Sequence, residues 1–212
     1  MNITRKQAKI ENLDALNSLA NCYEQGKGVE QDYSKMLEYY EKAASLDNSD
    51  ALFNLVRCYQ NGKGVEQDYS KMFEYYEKAA KLGDSESLTK LGYFYEQGIG
   101  VEHDYSKMLE YYEKAASLGN STALYNLGFC YFSGTGVERD YSKCHKYFIQ
   151  SIEKWNFASF IHIAELYKKG QGVEKNYNKM IECNEKASEH GYAIGFNNLG
   201  LCYERGEGVE KN

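Results

Sequence analysis

Hydrophobic residues near the start of the chain recur with the spacing of an amphipathic helix. Leu16, Leu19, Cys22 and Tyr23 lie at positions i, i+3, i+6 and i+7, which places them on one side of a 3.6-residue helix. A small residue, Ala20, lies among them and lets a neighbouring helix backbone come close. This segment is predicted to be a helix, called helix A.

A second segment with helical spacing follows after a short polar loop. Met36–Ala44 combines apolar residues with Glu38 and Lys42, an i,i+4 pair in the favourable order for a solvent-facing surface. The same charged pair recurs at 74/78, 110/114 and 182/186. The segment is predicted to be a second helix, helix B, which packs against helix A as an antiparallel pair.

The two-helix pattern repeats every 36 residues without an insertion. The tetrapeptide Gly-x-Gly-Val begins at residues 26, 62, 98, 134, 170 and 206. A fixed period between 20 and 50 residues indicates a solenoid of stacked supersecondary units. We therefore predict an all-α fold, a solenoid of stacked antiparallel helix pairs in 36-residue repeats.

The ends of the helices are marked by residues that cap helices. Helix A is predicted to begin after one column of Asn or Asp and helix B after another, because their side chains accept hydrogen bonds from free backbone N–H groups. The first glycine of Gly-x-Gly-Val is predicted to end helix A with a positive φ. The helix A caps are Asn12, Asn48, Asp84, Asn120 and Asn156, and the helix B caps are Asp32, Asp68, Asp104, Asp140 and Asn176.

The repeats divide the chain as follows. Residues 1–14 are predicted to be a remnant of a helix B that caps the array, and residues 15–212 form the array itself. The six repeats begin at residues 15, 51, 87, 123, 159 and 195. The sixth repeat contains helix A but stops where helix B would begin. We expect residues 193–212 either to fray or to be covered by head-to-tail contacts between chains.

The skeleton A-x-x-x-L-[AG]-x-x-Y-x-x-G-x-G-V-x-x-[DN]-Y resembles the Sel-1-like repeat family, which is related to the tetratricopeptide repeats. It is complete at Ala123–Tyr141, and it recurs over residues 15–212. The resemblance implies a right-handed superhelix whose concave surface, lined by helix A, gathers partner proteins. Secreted members of the family have regularly spaced disulfides, and this chain lacks that spacing.

Four columns of helix A change from repeat to repeat, at the offsets of residues 14, 17, 21 and 24, and we call them the variable stripe. These offsets share one helix face, which the resemblance places in the groove. Its middle is aromatic and its ends are polar, as in an interface hot spot. Packing between repeats and drift after duplication are the alternative interpretations. The candidate partner-binding residues are Phe53, Arg57, Tyr93, Tyr125, Phe129, Phe132, Ile161 and Glu165.

The fourth repeat departs from the others at the end of helix B. Trp155, the only tryptophan, stands in a column otherwise held by Gly or Asp. It is predicted to cover a local defect together with Phe157, with a partner contact as the alternative.

Composition and charge narrow the classes of partner that the protein is expected to bind. The formal net charge is −6, with 31 acidic and 25 basic side chains, which disfavours nucleic acid as a partner because a phosphate backbone requires clustered basic residues. No apolar stretch approaches the ~20 residues that span a bilayer, and residues 1–9 lack an apolar signal region. We therefore expect a cytoplasmic protein that binds neither nucleic acid nor membrane.

The cysteines and histidines do not form a recognisable reactive site. The column of Cys22 also holds Phe94 and Leu166, which indicates a core position. A disulfide between Cys130 and Cys144 within one helix pair is the alternative. The four histidines share no ligand spacing, and His162 lies in a column with Asn54 and Asn126, which favours exposure.

The function predicted from the sequence is that of a non-catalytic adaptor that binds partner proteins of unknown identity. Gly-x-Gly-Val follows a helix and lacks the third glycine of a dinucleotide fingerprint, so no cofactor is expected. No catalytic or metal-binding residues are assigned. A self-associating structural module is the first alternative, and an enzyme of unknown type is the least favoured.

Overall fold

The computed structural model describes the backbone of residues 2–208 and the side chains of residues 14–208. Over this range the chain forms eleven α-helices joined by turns, which confirms the predicted all-α class. The helices are α1 Asn2–Gln25, α2 Tyr33–Ala44, α3 Ser49–Asn61, α4 Tyr69–Lys81, α5 Ser85–Gln97, α6 Tyr105–Ser117, α7 Ser121–Ser133, α8 Tyr141–Glu153, α9 Ser159–Lys169, α10 Tyr177–Glu189 and α11 Ala193–Arg205.

The chain divides into two compact halves, Met1–Asp104 and Tyr105–Asn212. In each half, every helix packs against the next one along the chain, as short connections between antiparallel helices require. Odd-numbered helices are the helices A and even-numbered helices are the helices B. Buried residues of both kinds form the core, for example Met36, Tyr40 and Leu55 in the first half and Leu127 and Phe148 in the second.

The polar caps of helix B lie where the sequence places them. The side chains of Asp32 and Asp68 each accept a hydrogen bond from a backbone N–H three residues on, at 3.0 Å. Asp140 and Asn176 do the same at 2.9 and 3.0 Å. Each cap fixes the first turn of its helix and contributes about 1 kcal/mol.

Two of the predicted helix A caps are wrong. Asn48, Asp84 and Asn120 cap their helices at 2.8, 2.6 and 2.9 Å, but Asn12 lies inside the continuous helix α1. Asn156 does not cap α9, which begins three residues later without a side-chain cap. Its side-chain amide instead donates to the carbonyl of Ser121 at 3.4 Å.

The two glycines of Gly-x-Gly-Val have different structural roles. Gly62 ends α3 in the left-handed conformation, with φ 66°, as predicted. Gly64 also has a positive φ, and a β-carbon there would lie 2.7 Å from the β-carbon of Tyr33 in the preceding helix B. The second glycine therefore allows the loop to contact the start of helix B of the preceding repeat.

Helix B ends in a column where the backbone is left-handed whether or not glycine is present. Gly83, Gly119 and Gly191 have positive φ, and so do Asp47 and Trp155, at 67° and 68°. The Trp155 ring lies 6.0 Å from the ring of Phe157, but it is 81% exposed. The prediction that Trp155 covers a defect is therefore wrong, because a side chain this exposed shields little apolar surface.

Replacing Trp155 by glycine is expected to stabilise the protein by about 0.5–1 kcal/mol. A non-glycine residue in the left-handed region costs about 1–2 kcal/mol, and the greater freedom of glycine in the unfolded chain offsets part of the gain. Urea denaturation of the Trp155→Gly variant measures the change. Asp47→Gly is the matched control and should gain less, because Asp tolerates this conformation. A Trp155→Gly variant less stable than the parent would show that the ring contributes to packing.

The predicted i,i+4 ion pairs are present in three of four places. Glu38 pairs with Lys42, and Glu110 and Glu182 pair with Lys114 and Lys186. Glu74 instead pairs with Lys71 at 2.8 Å. All are solvent-exposed, so each contributes only a few tenths of a kcal/mol.

Candidate functional site

A buried carboxylate organises the surface of helix A in the first repeat. Glu24, in the variable stripe, is only 7% exposed, although its column was predicted to line an open groove. Its carboxylate accepts from Lys63 Nζ at 2.8 Å and lies 3.6 Å from Arg57. The Tyr40 hydroxyl lies 3.0 Å from Glu24 Oε2 and 2.8 Å from Asn21 Oδ1. We call these five side chains the Glu24 network.

The Glu24 network keeps its carboxylate ionised. Burial raises the pKa of Glu24, but the hydrogen bonds from Lys63 and Tyr40 together with the positive charges of Lys63 and Arg57 outweigh it, so the pKa lies below its ordinary value. Burial, followed by the charge of Glu24, raises the pKa of Tyr40. The phenol is therefore neutral and serves as a hydrogen-bond donor to the carboxylate.

The depressed pKa predicts how stability depends on pH. Because the folded pKa of Glu24 lies below the unfolded value of about 4.3, its contribution is complete above that value and is lost as the pH falls through the folded pKa. Glu24→Gln should therefore cost about 1–2 kcal/mol at pH 7, and the difference from the parent should shrink between about pH 5 and pH 3. Urea denaturation at several pH values measures it.

The exposed Glu38 provides the control for this pH series. Glu38→Gln removes one partner of a solvent-exposed ion pair and should change stability by less than about 0.5 kcal/mol. Equal costs for the two variants at pH 7, or a Glu24→Gln cost that does not change with pH, would contradict the role assigned to the buried carboxylate.

An aromatic cluster replaces this network in the fourth repeat. Tyr125, Phe129, Phe132, Phe148 and His162 form the aromatic cluster, in which the His162 ring lies 5.0–5.7 Å from the other four rings. The His162 Nε2 atom is 2.9 Å from the Tyr125 hydroxyl. The exposure predicted for His162 is therefore wrong, because rings of the preceding repeat surround it.

Burial lowers the pKa of His162 and of His145. The buried Nδ1 atom of His162 has no hydrogen-bond partner among the described residues. A neutral imidazole held between aromatic rings is a packing element. Within the part of the chain whose side chains are described, no group of three His, Cys, Asp or Glu residues is arranged to hold a metal ion.

A cleft of about 370 Å³ opens in the fifth repeat, between α9 and α11. Met180 and the buried Asn184 of α10 line its floor. Two candidate partner-binding residues, Ile161 and Glu165, also line it. Glu165 forms an ion pair with Lys169 at 2.5 Å.

The remaining candidates lie in the first half of the chain or belong to the aromatic cluster. Phe53 is half-buried, and Arg57 and Tyr93 are exposed, with Arg57 next to Glu24. In the cluster, Phe129 is 40% exposed, whereas Tyr125 and Phe132 pack against the core. Tyr125 and Phe132 therefore take part in packing, which is the alternative interpretation of the stripe. Their binding role remains a prediction.

Comparing single columns missed the contacts that connect neighbouring repeats. Tyr125 contacts His162 and Asn17 contacts Asn54, and both pairs are separated by 37 residues. Comparing the column of Asn17 and Tyr125 in one repeat with the column of Asn54 and His162 in the next repeat would have paired these side chains. The same comparison would have found a role for His162.

Six copies of one repeat model match nearly the whole sequence. The Sel1 repeat model matches residues 13–48, 49–84, 85–120, 121–154, 161–192 and 197–212. The chain belongs to the Sel1 repeat family. The gap between the fourth and fifth matches contains Trp155 and the delayed start of α9, the region where the caps differ from the other repeats.

Solved Sel1 structures share the fold of this chain. It is similar to a protective antigen of uropathogenic Escherichia coli strains that displays an SLR fold, with 29% identity and a TM-score of 0.85. That match covers all of this chain but 46% of the antigen, so the chain spans about half the antigen's length. A Sel1 repeat protein from Oxalobacter formigenes is 28% identical, with a TM-score of 0.79, over 94% of this chain and 80% of its own. No curated protein sequence matches.

Membership of the family sets the general role. Sel1 repeats generally mediate protein–protein interactions, and the family is generally non-catalytic. Among the described residues, no helix is both long enough and apolar enough to cross a membrane. The six cysteines are thiols, and Cys58, Cys130 and Cys202 are buried as their column predicts.

Proposed function

We propose that this Sel1 repeat chain is a non-catalytic scaffold that binds partner proteins through the variable stripe of helix A. The observation that supports it is the aromatic cluster of the fourth repeat. Phe129 is 40% exposed, and its ring lies 6.3 Å from Phe132 and 5.7 Å from His162. An aromatic side chain held in place before binding loses little entropy when a partner covers it, which is typical of a hot spot.

The same proposal includes the members of the stripe that lie in the first half of the chain. Arg57 is exposed beside the buried charge of Glu24, and Tyr93 is 45% exposed. A charged residue in a protein–protein interface affects the association rate and the choice of partner more than the affinity.

Site-specific photo-crosslinking tests the proposal. A benzoylphenylalanine introduced at Phe129 should give a discrete crosslinked product in the native cell, and one at Leu118 should not. Leu118 is the control because it is 56% exposed at the end of a helix B and is not a member of the stripe. Once the product is identified, Phe129→Ala should weaken binding of that protein by about 1–3 kcal/mol. Equal crosslinking from both positions would contradict a specific surface.

Self-association is the second candidate function, and α11 favours it. Ile194, Phe196 and Tyr203 are 56%, 62% and 43% exposed on this helix, and exposed apolar patches mark interaction sites. A crosslinked product at twice the 24.3 kDa mass of the chain would support a second copy as the partner. Sedimentation as a monomer at all concentrations would contradict it.

A further inference from the structure

One core column changes from aromatic to polar at the cleft of the fifth repeat. In the first four repeats a buried aromatic residue of helix B occupies this column, and in the fifth the residue is Asn184. The four aromatic residues are Tyr40, Tyr76, Tyr112 and Phe148.

The Tyr40 ring shows what fills this place in a complete repeat. The ring reaches from helix B to helix A, where its hydroxyl contacts Asn21 and Glu24. The residues that correspond to Asn21 and Glu24 in the fifth repeat are Glu165 and Lys168. Both line the cleft together with Asn184. The cleft is therefore bounded by the two columns that contact the Tyr40 hydroxyl and by the column of Tyr40 itself.

Asn184 does not fill the space that the missing ring leaves. Its amide nitrogen donates to the carbonyl of Met180 at 2.9 Å, and its oxygen accepts from Asn198 at 2.8 Å. The amide is satisfied by its own helix and by α11, so no polar atom of Asn184 needs a partner within the cleft. The rest of the floor and walls includes the apolar side chains of Met180, Ile161 and Leu201.

One wall of the cleft is formed by a small residue of helix A, which leaves room for an aromatic ring. In the fourth repeat, Gly128 contacts Phe148 so closely that a β-carbon would lie 2.7 Å from the ring. The corresponding residue of the cleft is Ala164, and in the first repeat Ala20 occupies this position beside Tyr40. An alanine at this position is therefore compatible with a tyrosine ring in the place next to it.

We propose that the cleft between α9 and α11 binds a tyrosine side chain of a partner protein, in the place that Tyr40 occupies in the first repeat. The ring contacts Met180, Ile161 and Leu201, and its hydroxyl donates to the Glu165 carboxylate and accepts from Lys168. Both charged groups are already paired, with Lys169 and Glu207, so the hydroxyl joins an existing polar rim. This inference rests on the proposed function and names one feature of the partner.

Titration with p-cresol, the side-chain analogue of tyrosine, tests the proposal without a known partner. The methyl groups of Met36, Met72, Met108 and Met180 report on corresponding positions of the repeats in ¹³C NMR spectra. The Met180 signal should shift saturably, with a dissociation constant of about 1 mM for so small a probe, and the other three should not. Toluene should bind about three- to tenfold more weakly, because it lacks the hydroxyl.

Restoring the missing ring provides the matched variant. Asn184→Tyr should abolish the p-cresol shift at Met180 and raise the Tm, because the new ring fills the cleft. If that variant does not fold by circular dichroism, Asn184→Phe serves the same purpose. No saturable shift at Met180 in the parent protein, or an equal shift in a folded Asn184→Tyr variant, would overturn the proposal.

The p-cresol titration and the crosslinking experiment at Phe129 can succeed or fail independently. Phe129→Ala changes the aromatic cluster and should leave p-cresol binding unchanged. Saturable p-cresol binding with no crosslink at Phe129 would refute partner binding by the stripe of the fourth repeat and would support tyrosine binding in the cleft. A specific crosslink at Phe129 without p-cresol binding would support the scaffold and refute the cleft.

Discussion

Phe148→Ala is expected to lower the free energy of unfolding by about 3–5 kcal/mol, the usual cost of removing a fully buried aromatic side chain. The ring is 0% exposed, it stacks on His162 at 5.0 Å and it lies 5.7 Å from Tyr125. Gly128 lies directly against the ring and has no side chain to move into the space. The cavity should therefore persist, and urea denaturation followed by circular dichroism measures its cost.

Ile149→Ala is the matched control, because Ile149 follows Phe148 on the same helix and is 39% exposed. It should cost less than about 1 kcal/mol, and so should Phe129→Ala on the exposed side of the same cluster. If Phe129→Ala costs as much as Phe148→Ala, then Phe129 belongs to the core between repeats. The binding surface proposed for the fourth repeat would then be wrong.

The helix boundaries could be predicted where the residues of a single backbone turn determine where the helix begins or ends. Gly62 ends α3 because glycine adopts the left-handed conformation without strain. Asp68 begins α4 because its carboxylate reaches the third N–H of its own helix. Both effects are local, so the residue type alone is sufficient.

The same signals failed where neighbouring residues decide the backbone. Asn12 is a good capping residue, but a cap requires the chain to leave the helix before it, and the helix continues from residue 2 to residue 25. Asn156 follows Trp155, and the turn after them delays the helix to Ser159. A capping side chain permits a helix to start but does not impose the start.

The candidate site could be predicted only in part, because its contacts run between repeats. The column of His162 is polar in other repeats, yet the environment of His162 is set by Phe148 and Tyr125 of the repeat before it. Glu24 stands in a variable column, but Lys63 of the next repeat and Tyr40 bury it. Variation in a column can therefore report a changed neighbour as well as an exposed surface.

The same geometry uses opposite charges at two places in the array. Glu24 accepts from Lys63 at 2.8 Å, and Lys168 donates to Glu207 at 2.7 Å. Both pairs join the same two columns of successive repeats, 39 residues apart, with the signs exchanged. The interface between repeats therefore accommodates either order of charge, provided that the two side chains are opposite.

Reversing one charge should consequently be costly, and reversing both should restore much of the loss. Lys63→Glu places a second carboxylate beside the buried Glu24 and should destabilise by about 2–4 kcal/mol. Adding Glu24→Lys recreates the order seen at Lys168 and Glu207. Recovery should be incomplete, because Tyr40 loses its carboxylate acceptor and Arg57 then faces a positive charge.

A double-mutant cycle measured by urea denaturation gives the coupling free energy of this pair. We expect at least about 1.5 kcal/mol between positions 24 and 63, within the range for residues in one buried network. The same double reversal at Glu38 and Lys42 is the control, because both side chains are more than half exposed and should couple by no more than about 0.5 kcal/mol. If the two cycles give equal coupling, burial of Glu24 adds nothing to the pair. The exchanged signs at Lys168 and Glu207 would then be a consequence of drift and not of complementarity between successive repeats.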